Sequence, residues 1–188
     1  MKISILGSGW LGAKLPELFV KEGHSVHIST TSAKKLASLT SAQVSAYLID
    51  IESLSDNIQD FLNAQIVIIN ITSKNSAAFK NLIREIEKSP VEKVLFVSST
   101  SVYPPGHGLC RESDALDSST HPLLRIEEMF TSNPHFQTTI LRFAGLIGPK
   151  RHPGRFFRSG KKIRDPQARV NLIHLDDCLS IIHKIVEK

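Results

Sequence analysis

Residues 1–12 read MKISILGSGWLG, and the chain continues AKLPELF to residue 19. Lys2–Leu6 is an apolar run suited to a strand, and it breaks into three glycines, Gly7, Gly9 and Gly12, spaced G-x-G-x-x-G. Beyond them Leu11, Leu15, Leu18 and Phe19 recur on one helical face, so Trp10–Lys21 is predicted as a helix that Gly23 stops. A strand, a glycine turn and a helix in this order form a cradle for a dinucleotide. Gly7 permits the tight turn, Gly9 leaves backbone bare for a pyrophosphate, and Gly12 lets helix and strand pack closely. The helix start at Trp10 and Leu11 faces the phosphates with free N–H groups and a favourable dipole. The competing reading is a strand–helix turn that holds no ligand.

The same alternation continues outward. Strands are predicted at Ser25–Ser29, Val44–Ile49, Gln65–Ile71 and Lys93–Val97, with helices at Ala33–Leu39, Leu54–Leu62 and Ala77–Lys88 between them. QIVIINI, residues 65–71, is apolar on both faces, as a strand buried in a parallel sheet must be. Tyr103–Thr120 reads as a loop, Leu123–Phe130 as a helix and Thr138–Leu141 as a strand. After the irregular basic stretch 145–165, Val170–Ile173 reads as a short strand. Asp176–Val186 reads as a closing helix with Asp176 as its N-cap. This order implies an α/β fold: a Rossmann-like, doubly wound parallel sheet with helices on both faces. Residues 1–188 are read as a single NAD(P)-binding domain that contains a basic irregular segment at 145–169.

Composition narrows the function. No apolar run approaches the roughly 20 residues that span a bilayer. The N-terminus lacks the pattern of a signal peptide. Two cysteines, Cys110 and Cys178, are too few for a disulfide framework, which suits a reducing cytoplasm. The net charge of +5 comes from one patch, Lys150–Arg164, which holds Lys150, Arg151, Arg155, Arg158, Lys161, Lys162 and Arg164 and leaves the rest slightly acidic. A local patch suits a phosphate-bearing small molecule and argues against nucleic acid, although Phe156 and Phe157 could serve as stacking platforms. The eight histidines show neither HxxxH nor HExxH spacing, so no metal site is expected.

The cofactor preference is read from the end of the second strand. An Asp or Glu there would hold the ribose 2′-OH of NAD. This chain has Ser29, Thr30, Thr31 and Ser32, then Lys34 and Lys35. Hydroxyls and cations suit a 2′-phosphate, so NADP is expected, with NAD as the alternative.

Four stretches in order carry a resemblance: GSGWLG at 7–12, VSSTSVY at 97–103, LRFAGLIGP at 141–149 and VNLIHLDD at 170–177. Together they resemble the extended short-chain dehydrogenase/reductase superfamily, the NAD-dependent epimerase/dehydratase group. GWLG and RHPGRFF at 151–157 look like an atypical bacterial branch of it. The resemblance implies that Gly7, Gly9, Trp10, Leu11 and Gly12 line the pyrophosphate and that Asp50 and Ile51 touch adenine. It further implies Asn70 and Ile71 beside the ribose, Ser98 near the cofactor, and Phe143 and Gly145 along the nicotinamide. Ser99 matches the catalytic hydroxyl. Thr30, Thr31 and Lys34 fall where the 2′ position is read. Arg151 and Arg155 match a region that faces substrate, often phosphorylated or nucleotide-linked.

Two departures matter. The superfamily's Tyr-x-x-x-Lys pair would fall near Thr120 and Leu124, and this chain has neither residue there. An alkyl hydroxyl is a poor acid/base, and Arg125 cannot readily surrender a proton. Tyr103 and His121 are the replacement candidates, each with a bland alternative: a structural tyrosine and a solvated loop histidine. The final sheet strand and the substrate lobe of the superfamily are expected to be absent or reduced. The expectation is an NAD(P)-dependent oxidoreductase or epimerase with an altered site, or a non-catalytic dinucleotide-binding sensor. The superfamily's habit of pairing makes a homodimer the expected assembly if one forms.

Overall fold

A computed structural model describes residues 1–104, 108–154, 167 and 169–188. Its main sheet is made by β1 (Lys2–Leu6), β2 (Ser25–Thr30), β3 (Val44–Leu48), β4 (Ile66–Ile69), β5 (Lys93–Ser99) and β6 (Gln137–Phe143). They lie in the order β3-β2-β1-β4-β5-β6, every pair parallel. Parallel neighbours need crossovers, and the intervening helices supply them: α1 (Leu15–Lys21), α2 (Leu36–Leu39), α3 (Ile58–Leu62), α4 (Ser76–Glu87) and α5 (Pro122–Thr131). α6 (Leu175–Val186) closes the chain.

Period-two alternation builds two cores, one on each sheet face. Leu6, Val67, Ile69, Val94 and Phe96 point to one side and pack on Phe61, Phe79, Leu82, Ile126 and Phe130 of α3, α4 and α5. Ile3, Ile5, Val26, Ile28, Ile68 and Leu95 point to the other and pack on Leu15 and Phe19 of α1 and on Cys178, Ile182 and Val186 of α6. The doubly wound expectation therefore holds. The strand order reverses between β1 and β4, which opens a crevice at their carboxyl ends. Gly7 leaves β1 there, and Asn70 leaves β4 beside it.

Several boundaries move for physical reasons. The first helix begins at Leu15 rather than Trp10, after a 3-10 turn at Gly12–Lys14. Pro16 has no N–H to reach Gly12, and the Leu15 amide bonds Gly12 O instead. The helix expected at 54–62 is confined to α3, and Ser55 accepts through its carbonyl from the Ile58 amide in the preceding turn. Asp176 is not the cap of α6. His174 is, its Nδ1 accepting from the Asp176 amide. The stretch expected to be irregular from 145 contains β7 (Gly145–Ile147), paired in parallel with β8 (Leu172–His174) in a second small sheet. Gly23 ends α1 as expected, at φ +78°.

Candidate functional site

The glycine turn has two structural glycines and one open one. Gly7 stands at φ +108°, where L side chains are strained, and a Cβ there would sit 2.5 Å from Asn70 O. A Cβ on Gly12 would fall 2.0 Å from Gly7 O, so the turn closes only without it. A Cβ on Gly9 meets nothing within 4 Å. Neither packing nor backbone strain requires glycine at position 9, and the bare backbone faces open space.

That space is the mouth of a groove. A cleft of about 390 Å³ runs over Gly7, Ser8 and Gly9, past Ser29, Thr30 and Thr31, to Asp50, Ile51 and Asn70. A second cleft of about 400 Å³ shares Asn70, Ile71 and Thr72 with the first and extends to Ser98, Ser99, Phe143, Gly145 and Arg151. The two clefts meet at the residues that follow β4. The fold thus brings together Gly7, Gly9, Thr30, Thr31, Asp50, Ile51, Asn70, Ile71, Ser98, Ser99, Phe143, Gly145 and Arg151.

The remaining expected residues stand elsewhere. Lys35, not Lys34, lines the groove beside Ser32. The 3-10 turn at Ala33–Lys35 sets that one-residue difference, because adjacent residues on a tight helix face different ways. Glu52 also lines this end, but its carboxylate accepts from Ser73 Oγ at 2.9 Å and from Asn75 Nδ2. Gly12 and Leu11 support the turn from behind, Leu11 being buried in the core. Arg155 and the basic residues 158–164 lie outside the described residues.

Trp10 has a role that the glycine pattern did not reveal. Its Nε1 donates to Pro149 O at 2.9 Å, and the Arg151 guanidinium lies 5.3 Å over its ring. A tight turn carries Arg151 there: its amide donates to Gly148 O at 2.9 Å, with Lys150 at φ +62°. Trp10 thereby ties the glycine loop to the rim of the second cleft, with Lys74 also in that cleft's wall.

Tyr103 is drawn into a different network. Its hydroxyl accepts from Arg142 Nη1 at 3.0 Å, and the guanidinium packs over its ring. Arg142 also donates to both oxygens of Glu127, the shortest at 2.6 Å, and to Glu112 O. Ser98 Oγ donates to Glu127 as well, at 2.5 Å. Glu127 is 4% exposed, and these partners satisfy its carboxylate oxygens inside the protein. The Glu127 hydrogen bonds push Arg142 above its ordinary pKa, and the Tyr103 bond acts in the same direction. Ser99 Oγ accepts from the Ser101 amide at 3.1 Å, so the hydroxyl facing the second cleft is held from behind.

The lysine position expected near Leu124 lies at the head of α5. Leu124 is buried in the helix packing, and Leu123 lines the second cleft. Thr120 bonds back to Asp117 O, and His121 precedes α5 outside both clefts. No metal-ligating cluster lies in the groove among the described residues.

Comparison with known proteins gives a consistent picture. Residues 7–172 match the model of the NAD(P)H-binding family. Protein YeeZ of Escherichia coli K12 is 30% identical over 201 residues, which cover 99% of this chain and 73% of YeeZ. A provisionally assigned NAD-dependent epimerase/dehydratase from Methylobacillus flagellatus superposes at TM-score 0.72 and 27% identity, over 99% of this chain and 70% of its own. The UDP-glucuronic acid 4-epimerase of Bacillus cereus, solved with UDP-glucuronic acid and NAD, superposes at TM-score 0.78. It covers 100% of this chain and 74% of its own at 16% identity, a likeness of fold.

Proposed function

The chain belongs to the NAD(P)H-binding family, within the extended short-chain dehydrogenase/reductase superfamily, and from that premise we propose that it binds NADP along the joined groove and an anionic small molecule in the second cleft. One observation carries the reading: Gly9 is bare where nothing in the fold demands a glycine, and it opens on the groove. In this reading the Gly7–Gly12 turn holds the pyrophosphate. Asp50 and Ile51 flank the adenine, and Thr30, Thr31 and Lys35 face the 2′-phosphate. Asn70 and Ile71 line the junction of the two clefts. Bound there, the cofactor supplies a hydride donor or acceptor. Ser98 and Phe143 shape the wall beside it, and Ser99 offers its hydroxyl to a substrate oxygen. Arg151, braced on Trp10, presents a cation to a phosphorylated or nucleotide-linked substrate. Tyr103 is the proton-transfer candidate, with Arg142 in the place of the missing lysine. The finer activity, on this reading, is that of an oxidoreductase or epimerase in a reducing cytoplasm.

A second reading has its own support. The positions of the absent Tyr-x-x-x-Lys pair hold Thr120 and leucines, and the Tyr103 hydroxyl is already engaged by Arg142. A dinucleotide-binding protein without turnover, a sensor of redox state, would need nothing more. Calorimetric titration with NADPH and NADH, in the wild type and in Gly9→Asp, tests the premise shared by both. Tight NADPH binding that Gly9→Asp abolishes is expected. Absence of binding by either dinucleotide would overturn both readings. Loss of a measured reductase activity in Ser99→Ala and Tyr103→Phe, with NADPH binding retained, would favour the enzyme.

A further inference from the structure

The groove uses the carboxyl ends of the strands. At the other end of the sheet, the C-termini of α1 and α6 meet. Glu22 is the residue that ends α1, and Glu187 ends α6. Between them stands His183, one turn before Glu187. Its Nε2 lies 3.3 Å from a Glu187 oxygen and 3.8 Å from a Glu22 oxygen. One donor atom from each residue lies within 4.8 Å of the other two. His183 Nε2 is shielded from water and has no hydrogen-bond partner among the described residues.

The electrostatics of this corner call for a cation. A helix C-terminus carries the negative end of the dipole, and a carboxylate placed there is unfavourable unless a positive charge offsets it. Here two helix C-termini and two carboxylates converge. Lys21, the nearest basic residue on α1, is held by Glu17 at 2.9 Å. Lys184 and Lys188 also belong to this end of α6. His24, whose ring stands 3.3 Å from the N-terminal amine, feels the charges of Glu22, Glu187 and His183. A buried imidazole nitrogen aimed between two carboxylates is a ligand set. Bonds of about 2.0–2.2 Å at tetrahedral angles place donor atoms about 3.4 Å apart, and the observed 3.3 and 3.8 Å bracket that spacing. One imidazole and two carboxylates suit zinc and its first-row neighbours.

We propose that Glu22, His183 and Glu187 bind a divalent transition-metal ion of the zinc class, which clasps α6 to α1. The site escapes any sequence pattern because Glu22 comes from the first helix and the other two ligands from the last. The expectation of no metal rested on local spacing alone, and the proposal departs from it. Three protein ligands leave room for water on the exposed side. The ion would act far from the groove, as a brace for the helix that covers β1, β4 and β5.

The test uses the full chain stripped of metal with a chelator. Zn²⁺ is titrated by equilibrium dialysis, and Co²⁺ serves as a spectroscopic probe. The expected result is one ion per chain, visible Co²⁺ bands of a low-coordinate N/O site, and a thermal midpoint that rises with added Zn²⁺. Glu187→Gln and His183→Gln should each weaken binding at least tenfold. Glu22→Gln, an exposed change at a helix end, should do the same and guards against loss of folding in His183→Gln. Circular dichroism without metal checks that each variant is folded. Absence of saturable binding, or binding that all three variants leave unchanged, would overturn the proposal.

Discussion

Gly9 and Gly12 look alike in the sequence motif, yet the structure assigns them opposite roles, and a pair of substitutions separates them. Gly12→Ala puts a methyl 2.0 Å from Gly7 O, a backbone atom that cannot swing aside. Overpacking of this kind costs about 1–3 kcal/mol, and a chain of this size loses roughly 2–4 °C in Tm for each kcal/mol. Gly9→Val meets nothing within 4 Å and is not in the left-handed region, so its stability should change by less than about 0.5 kcal/mol. Its side chain fills the space where a pyrophosphate would approach. A loss of at least tenfold in NADPH affinity is expected, about 1.4 kcal/mol. Trp10 is the chain's one tryptophan and sits next to Gly9, so its fluorescence reports binding directly. Urea denaturation supplies the stabilities. Wild-type NADPH affinity in Gly9→Val would refute the assignment of the groove. So would a Gly9→Val protein as unstable as Gly12→Ala, because the space would then belong to packing.

Other outcomes follow from particular contacts. Lys35→Gln should lower NADPH affinity about two- to fivefold, the scale of an exposed ion pair, and leave NADH unchanged; Lys34→Gln should do less, and the comparison is made by calorimetry at low and high salt. Glu127→Gln leaves the Arg142 charge half-buried without its carboxylate and should cost about 3 kcal/mol in a urea melt, with Tyr103 losing its anchor. His27 is buried against Tyr47 and Phe61, with Nδ1 2.9 Å from Phe61 O, and burial lowers its pKa below the ordinary 6.5. The unfolded chain therefore binds the proton more readily. Stability is fully present above about pH 6.5 and falls as the pH drops toward the folded-state pKa. His27→Gln should flatten that slope, measured as Tm against pH. Cys178 is buried and its thiol is pushed up to about 11, so a thiol reagent should modify exposed Cys110 in the folded protein and reach Cys178 only in denaturant.

Much of the fold was legible from the chain alone, and the reason is local. The short β-branched run Ile66–Ile69 suits a strand buried on both faces, and the 3.6-residue spacing of Phe79, Leu82, Ile83 and Ile86 suits one helix face. The glycine turn was equally readable because strand, glycines and helix are neighbours in sequence. Geometry over one or two residues was not legible. Pro16 moved the helix start, a 3-10 turn sets Lys35 rather than Lys34 in the groove wall, and the packing of α5 sets Leu123 in the wall of the second cleft.

The sequence by itself determined the order of elements, the parallel sheet and the glycine cradle, because each depends on periodicity and on backbone freedom at Gly7 and Gly12. Only the tertiary structure decided which side chains meet. Trp10 reaches Pro149 and Arg151, Tyr103 is held by Arg142 and Glu127, and Glu22 joins His183 and Glu187. These partners are far apart along the chain. Hydrogen bonds and charges act over a few ångströms of space, whatever the distance in sequence.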